Sequence, residues 1–391
     1  MRHLRDVRLE NKRVLMRVDF NVPLDEEGNI IDDNKIKAAL PTIEYILGQG
    51  ARLIIMSHLG RPKGKREDRF SLRVVGERLK SLITANVYIS PETVGPLAEE
   101  AAAALKPGEI LLLENVRFQP GEEKNDPELS KQMAALGDIF VNDAFGSAHR
   151  AHSSTTGVGD YLPCYAGLLM EKEVEILRNV LNYPESPRMA ILGGAKVADK
   201  IGLIENLLDK TAIVLIGGGM ANTFLQAQGK NIGKSRFEAN FLDQALRLIK
   251  LAADKKVEFV LPVDVVTAAE LSPEAVPVIT DVDHVADDHM ILDIGPQTID
   301  IFKEAIKRAR TIIWNGPLGV YEYQQFAHGT EEITRALAES QAITVIGGGD
   351  SSAAALNLGL ADKITHISTG GGATLEFLEG ITLPGVAVCE K

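Results

Sequence analysis

The sequence predicts an α/β chain of two doubly wound parallel-sheet domains joined by a connecting helix. Three observations predict it. The chain has 391 residues, more than one hydrophobic core usually serves, so two domains of about 150–200 residues each are expected. Its apolar runs are short and β-rich, which suits parallel strands buried on both faces. Helix-period segments separate those runs, and this alternation implies right-handed crossovers.

The elements follow in order. Strand runs lie at residues 14–18, 53–56, 110–113 and 139–141, with helices expected over 36–48 and 72–83. Residues 168–177 contain no Gly or Pro and read as a rigid helical connector. Gly167 before it and Pro184 and Pro187 after it punctuate a hinge. Beyond it come strand runs at 189–192, 213–216, 259–261, 312–314, 343–346 and 364–367, with a helix over 241–253. Each half is Rossmann-like, and the expected bounds are 1–168, a connector at 169–182, and 183–375.

Composition narrows the function. Hydrophobic residues make up 45% and charged residues 25%, the balance of an ordinary soluble globular protein. No stretch approaches the roughly 18 apolar residues of a membrane helix. The opening residues 1–6 have no apolar run behind their charges, so no signal peptide is expected. Only Cys164 and Cys389 are present, far apart in sequence, which argues against a disulfide framework and for a reduced, cytoplasmic enzyme. The net charge of −12 disfavours a nucleic-acid partner. Residues 1–150 hold 22 Lys and Arg against 23 Asp and Glu, whereas the rest hold 20 against 31. An anion site therefore belongs in the first half.

In open parallel sheets, ligands bind beyond the carboxyl ends of the strands. The first strand here ends in Asp19 and Asn21, the second in His58 and Arg61, the third in Arg117, and the fourth leads to Arg150. Three guanidinium forks and an imidazole suit a phosphate dianion. Asp19 and Asn21 suit hydroxyl or carboxyl groups of the same ligand. His149 and His152 lack a clear third ligand, so a metal pair is not expected there.

The second half places glycines at strand ends, at 193–194, 217–219, 347–349 and 370–372. Such loops let backbone N–H groups approach phosphates at helix starts. Lys196 and Lys200, four apart, would share one face of a helix beginning after Gly194, and two like charges there suggest a polyphosphate. The stretch 229–235 imitates a phosphate-binding P-loop but has three residues between its glycines where that loop needs four.

Taken together, the motifs identify the chain as similar to the phosphoglycerate kinase family. They are RVDFNVP at 17–23, SHLGRP at 57–62, LENVRF at 113–118, VNDAFGSAHRAH at 141–152, GGAKVADK at 193–200, WNGPLGVYE at 314–322, GGGDSS at 347–352 and STGGGA at 368–373. The resemblance implies reversible phosphoryl transfer between 1,3-bisphosphoglycerate and MgADP, giving 3-phosphoglycerate and MgATP, by a hinge-closing monomer. It assigns the glycerate to the first domain through Asp19, Asn21, Lys35, His58, Leu59, Gly60, Arg61, Arg117 and Arg150. It assigns the nucleotide to Gly194, Lys200, Gly217, Gly218, Asn315, Glu322, Gly348, Gly349, Asp350 and Ser351, with Asp350 on Mg²⁺. Lys35, Lys196, Gly371 and Gly372 would meet the transferring phosphoryl group. The last residues, 376–391, would return to the first domain. At Lys35 the family usually carries arginine; lysine keeps the charge but loses the planar fork. Two rival readings are an ATP-using enzyme acting on another phosphorylated acid, and a catalytically silent sensor of the same ligands.

Overall fold

The computed structural model of the chain describes residues 1–182 and 185–391, so Pro184 lies outside the described residues. Two compact units emerge: residues 1–175 with 382–391, and residues 176–381.

In the first unit, β1 (Arg13–Arg17), β2 (Arg52–Met56), β3 (Val87–Ile89), β4 (Ile110–Leu112), β5 (Ile139–Asn142) and β6 (Cys164–Ala166) form an all-parallel sheet ordered β3-β4-β2-β1-β5-β6. Helices α1 (Asn34–Gly48), α2 (Arg73–Leu82), α3 (Pro96–Ala104) and α4 (Pro127–Ala134) lie between strands in the chain. Val14, Met16, Leu53, Ile55, Ile110 and Leu112 pack with Ile36, Ile43 and Ile46 of α1 and Val75 and Leu79 of α2. The alternate residues Leu15, Ile54, Leu111 and Phe140 are as deeply buried on the opposite face. That double burial is why these strands read as unbroken apolar runs. Arg17 is in register with both Met56 and Asn142. The three strands end level, and the residues that follow them emerge on one rim.

The connecting helix α5 (Leu168–Asn182) occupies the span expected for the connector, and the division between units falls inside it. Its start is capped from the sheet. The Asp143 carboxylate accepts from Leu169 N at 3.0 Å and Met170 N at 3.2 Å. A Cβ on Gly167 would stand 2.1 Å from that carboxylate oxygen, so only glycine permits the approach.

The second unit contains β7 (Arg188–Leu192), β8 (Ile213–Ile216), β9 (Glu258–Val260), β10 (Asp264–Ala268), β11 (Val278–Asp281), β12 (Met290–Ile294), β13 (Thr311–Asn315), β14 (Ile343–Gly347) and β15 (His366–Ile367). Among the described residues, six of these form a second parallel sheet, ordered β15-β14-β13-β7-β8-β9. Its helices are α6 (Ile201–Leu208), α7 (Gly218–Ala227), α8 (Leu242–Asp254), α9 (Pro296–Arg308), α10 (His328–Glu339), α11 (Gly349–Asn357) and α12 (Gly371–Leu378), and α13 (Pro384–Ala387) follows in the returning segment. That segment begins at Thr382 and not at residue 376. The reason is that α12 packs on α6, where the Asn206 side chain donates to Leu378 O.

One further sheet is antiparallel, ordered β11-β10-β12, and the apolar-run reading does not anticipate it. Edge strand β11 is solvent-exposed, with Ile279 61% accessible, so it carries no buried run. Asp264 on β10 accepts from Gln297 N and Thr298 N at 3.0 and 2.7 Å, capping α9 behind Pro296.

Candidate active site

The rim of the first unit gathers one carboxylate and several cations. Asp19 Oδ2 accepts from Lys35 Nζ at 3.1 Å, and Asp19 Oδ1 accepts from Asn21 N at 3.1 Å. Burial pushes the Asp19 carboxyl up, but Lys35 and Arg17, with the Asn21 N–H, outweigh it and hold the group below the usual carboxylate range. Asn21 Oδ1 accepts from Gly60 N at 2.8 Å, and Gly60 O accepts from Arg117 at 2.8 Å. Leu59 is a core side chain whose carbonyl accepts from Asn115, so only its backbone is available to the rim.

His58 is the most defined of these groups. Its Nδ1 lies 3.1 Å from a terminal nitrogen of Arg17. A guanidinium has no acceptor, so Nδ1 must accept and the proton sits on Nε2. Burial, then the cations Arg17, Arg117 and Lys35, keep the imidazole neutral against the pull of Asp19, well below its usual range. Arg17 is 1% exposed and also donates to Ser154 Oγ at 2.8 Å and to Val18 O. Ser154 Oγ in turn donates to Glu122 at 2.5 Å, and Ser154 N donates to the other Glu122 oxygen at 3.0 Å. Arg17, Ser154 and Glu122 form a buried support that sequence reasoning missed. The available signal was a charge inside an apolar strand, which must find a partner to be tolerated.

Arg117 and Arg150 sense each other electrostatically, and both lower the affinity of His152 for a proton, after burial, to about 4. Arg117 Nε is buried and makes no hydrogen bond among the described residues; Glu123 stands 3.5 Å away. Arg61 is exposed on the loop after β2, and Arg150 is exposed with its Nε toward His149 at 3.2 Å.

In the second unit, a cleft of about 680 Å³ is lined by Gly194, Lys196, Gly218, Glu322 and Asp350, and on its apolar side by Leu271, Met290, Leu292, Pro317 and Val320. The antiparallel sheet and its connections supply much of that apolar side. Burial, then the neighbouring Glu322, raise the Asp350 carboxyl above its ordinary value. Gly218, at φ +65°, could not carry a side chain, because a Cβ would meet Pro317 O at 2.6 Å and Gly194 N at 2.7 Å. A Cβ on Gly371 would come within 3.3 Å of Gly348 Cα, so the starts of α11 and α12, with Gly349 and Gly372, converge.

Lys196 and Lys200 do not share a helical face. Helix α6 begins only at Ile201, and Lys196 lies in the exposed loop before it. Lys200 is buried, its ammonium donating to Gly193 O and to Asn315 O at 3.3 Å. Burial lowers its pKa to about 8. Ser351 is buried and bridges Gly316 N and Gly347 O at 3.1 Å each, while Asn315 donates to Gly347 O at 2.9 Å. These two side chains tie β13 to β14. Gly217 is buried beside Leu318 and does not line the cleft. Asp293, also missed, is buried in the cleft wall with its carboxyl pushed up to about 7, against Gly329 N and Ile294 N. Among the described residues, no group of three His, Cys, Asp or Glu could hold a metal.

The family model described as phosphoglycerate kinase matches residues 4–381. The chain belongs to the phosphoglycerate kinase family. The phosphoglycerate kinase of Moorella thermoacetica is 56% identical over 389 residues, 99% of each chain. The phosphoglycerate kinase structure from Coxiella burnetii has a TM-score of 0.87 at 44% identity, covering 99% of this chain and 98% of that one. The Pyrococcus horikoshii phosphoglycerate kinase structure has a TM-score of 0.88 at 35% identity, covering 100% and 98%. Membership makes the chain a kinase, as its motifs implied. The two parallel α/β units are those of the phosphoglycerate kinase fold. No helix among the described residues is long and apolar enough to cross a membrane.

Proposed function

We propose that the chain transfers the acyl phosphate of 1,3-bisphosphoglycerate to MgADP, reversibly, giving 3-phosphoglycerate and MgATP, as a cytoplasmic monomer. The observation that carries this is His58, oriented by Arg17 at 3.1 Å so that its Nε2–H is free to donate, on a rim that also offers Asp19 and Arg117, with Arg150 near Arg117. Such a rim gives a phosphorylated hydroxy acid both cations and a hydroxyl acceptor. In this reading Arg61, Arg117, Arg150 and His58 hold the distal phosphate. Asp19, Asn21 and the backbone of Leu59 and Gly60 hold the glycerate end. Gly194, Gly218 and Glu322 surround the nucleoside, with Gly217 buried behind them. Lys200, Asn315, Gly348, Gly349 and Ser351 border its phosphates. Lys35, Lys196 and the N–H groups of Gly371 and Gly372 meet the group in flight. Phosphoryl transfer needs positioning and charge neutralisation more than covalent help.

Mg²⁺ would enter with the nucleotide. It commonly takes one or two carboxylates, phosphate oxygens and waters. Asp350 fits that role, since its half-buried carboxylate lines the cleft and feels the negative charge of Glu322, which a cation would offset. When bound, the ion neutralises phosphate charge.

Turnover of 3-phosphoglycerate with MgATP, abolished by a chelator, tests the whole reading. Calorimetric binding of both ligands without turnover would leave a sensor instead. Arg61→Ala should weaken 3-phosphoglycerate binding by about 1.5–3 kcal/mol, the scale of a charged hydrogen bond, and leave ATP affinity intact. A loss on the nucleotide side would reverse the assignment of the units. Asp350→Asn should raise the Mg²⁺ concentration needed for half-maximal turnover without changing glycerate affinity. An unchanged magnesium titration removes Asp350 from the metal.

Lys200 adds a pH signature. With its pKa at about 8, below the ordinary 10.5 of lysine, the free protein holds roughly half a proton there at pH 8. Nucleotide phosphates favour the charged form, so binding at pH 8 should take up protons. Near pH 6.5 the group is already charged, and the uptake should fade. Calorimetry in buffers of different ionisation heat reads this directly; proton release at pH 8 would contradict it.

A further inference from the structure

The two cysteines, 225 residues apart in sequence, meet in space: Cys164 Sγ lies 3.2 Å from Cys389 Sγ, both buried free thiols. Their distance along the chain gave no hint of this. Cys164 sits on edge strand β6, and Cys389 on the segment that returns to the first unit. The contact is part of a larger seam. Arg2 N donates to Cys389 O at 2.7 Å, and Ala166 N donates to Arg2 O at 2.9 Å. Four residues before Cys389, the same segment supports the loop bearing Arg150: Gly385 N donates to Ala148 O at 2.8 Å, and Asn142 donates to Gly385 O at 3.0 Å. Gly385 packs so close that a Cβ there would meet Ala148 Cα at 2.8 Å.

We propose that Cys164 and Cys389 are a modification site, a dithiol that closes to an intrachain disulfide and clasps the returning segment beneath the Arg150 loop. A bond of about 2.05 Å requires the sulfurs to approach by roughly 1.2 Å. The oxidant is a small disulfide such as oxidised glutathione. The Cys389 thiolate attacks one of its sulfurs and expels a first glutathione thiolate. The Cys164 thiolate then attacks Cys389 Sγ in the mixed disulfide and expels the second. The protein loses two protons and two electrons, and two glutathione thiols are gained. Burial raises the Cys164 thiol well above its ordinary pKa, so the packed pair resists attack. Fraying of the short terminal turn at Val388–Glu390 would expose Cys389 first.

The closed ring spans 164–389 and so contains the entire second unit. Cross-linking so long a loop removes much denatured-state entropy. The experiment oxidises the full chain with oxidised glutathione, with and without dithiothreitol, and follows intact mass, alkylatable thiols and apparent unfolding midpoint. The expected product is monomeric, lighter by two hydrogens and without alkylatable thiols. A peptide map should join the Cys164 and Cys389 peptides, and the midpoint should rise by roughly 5 °C or more. Cys389→Ala and Cys164→Ala should each lose the rise and keep turnover when reduced. Stable glutathione adducts on both thiols, linkage between chains, or two thiols that persist in mild urea with oxidant would each overturn the proposal.

Discussion

Lys35→Ala should lower turnover by roughly 10³–10⁵-fold, the scale of a cationic group on a transferring phosphoryl. In the free protein Lys35 is held by Asp19 at 3.1 Å, on the rim where the glycerate is proposed to bind. Its charge there should matter more than its shape, so Lys35→Arg should alter turnover modestly; the planar fork adds at most one hydrogen bond, about 1–3 kcal/mol. Affinities for both substrates should move less than turnover, as for a contact made mainly in the transition state. Steady-state kinetics decides it. Near wild-type turnover in Lys35→Ala would assign the charge to Lys196 and the starts of α11 and α12.

The second large effect concerns stability. Arg17→Met leaves Glu122, which is 0% exposed, with only the weaker influence of Arg117 and strands Ser154 between them, and should cost about 3 kcal/mol in denaturant unfolding. Burial already pushes the Glu122 carboxyl up even with Arg17 present. The variant should also bind 3-phosphoglycerate more weakly, because His58 Nδ1 loses the donor that fixes its tautomer. Arg17→Met combined with Glu122→Leu should recover part of the stability but none of the binding. An unfolding midpoint unchanged in Arg17→Met would show that the buried network carries no weight.

What the sequence made legible follows from burial. Strands β1, β2, β4 and β5 are sealed on both faces and so announce themselves as apolar runs. Strands β3 and β6 are three-residue edges, and β11 faces solvent, so none leaves a periodic trace. Loops at strand ends could be read because topology alone places them on one rim. Arg17, Glu122 and Ser154 could not, since they come from a strand and two distant loops and meet only through tertiary packing. Four-residue spacing implies that Lys200 shares an open helical face with Lys196; the chain between them instead passes from a loop into a 3-10 turn at Ala198–Lys200, and the Lys200 ammonium turns inward to carbonyls. The cysteine pair was invisible for the same reason as the Arg17 network.

The first unit is built from residues 1–175 and 382–391, which flank the second unit in the chain. On the ribosome this sets a waiting time. The first 175 residues emerge early but lack the segment that backs the Arg150 loop until residues 382–391 are made. At about 5–20 residues per second, the 206 residues of 176–381 separate those events by roughly 10–40 s. The unit begun first is therefore finished last, and the later-made unit can fold while its neighbour stands open. Nascent chains stalled after residue 381 should resist protease within 176–381 while the Arg150 loop is cut. Equal protection of both regions would mean that the opening 175 residues complete their fold without the tail.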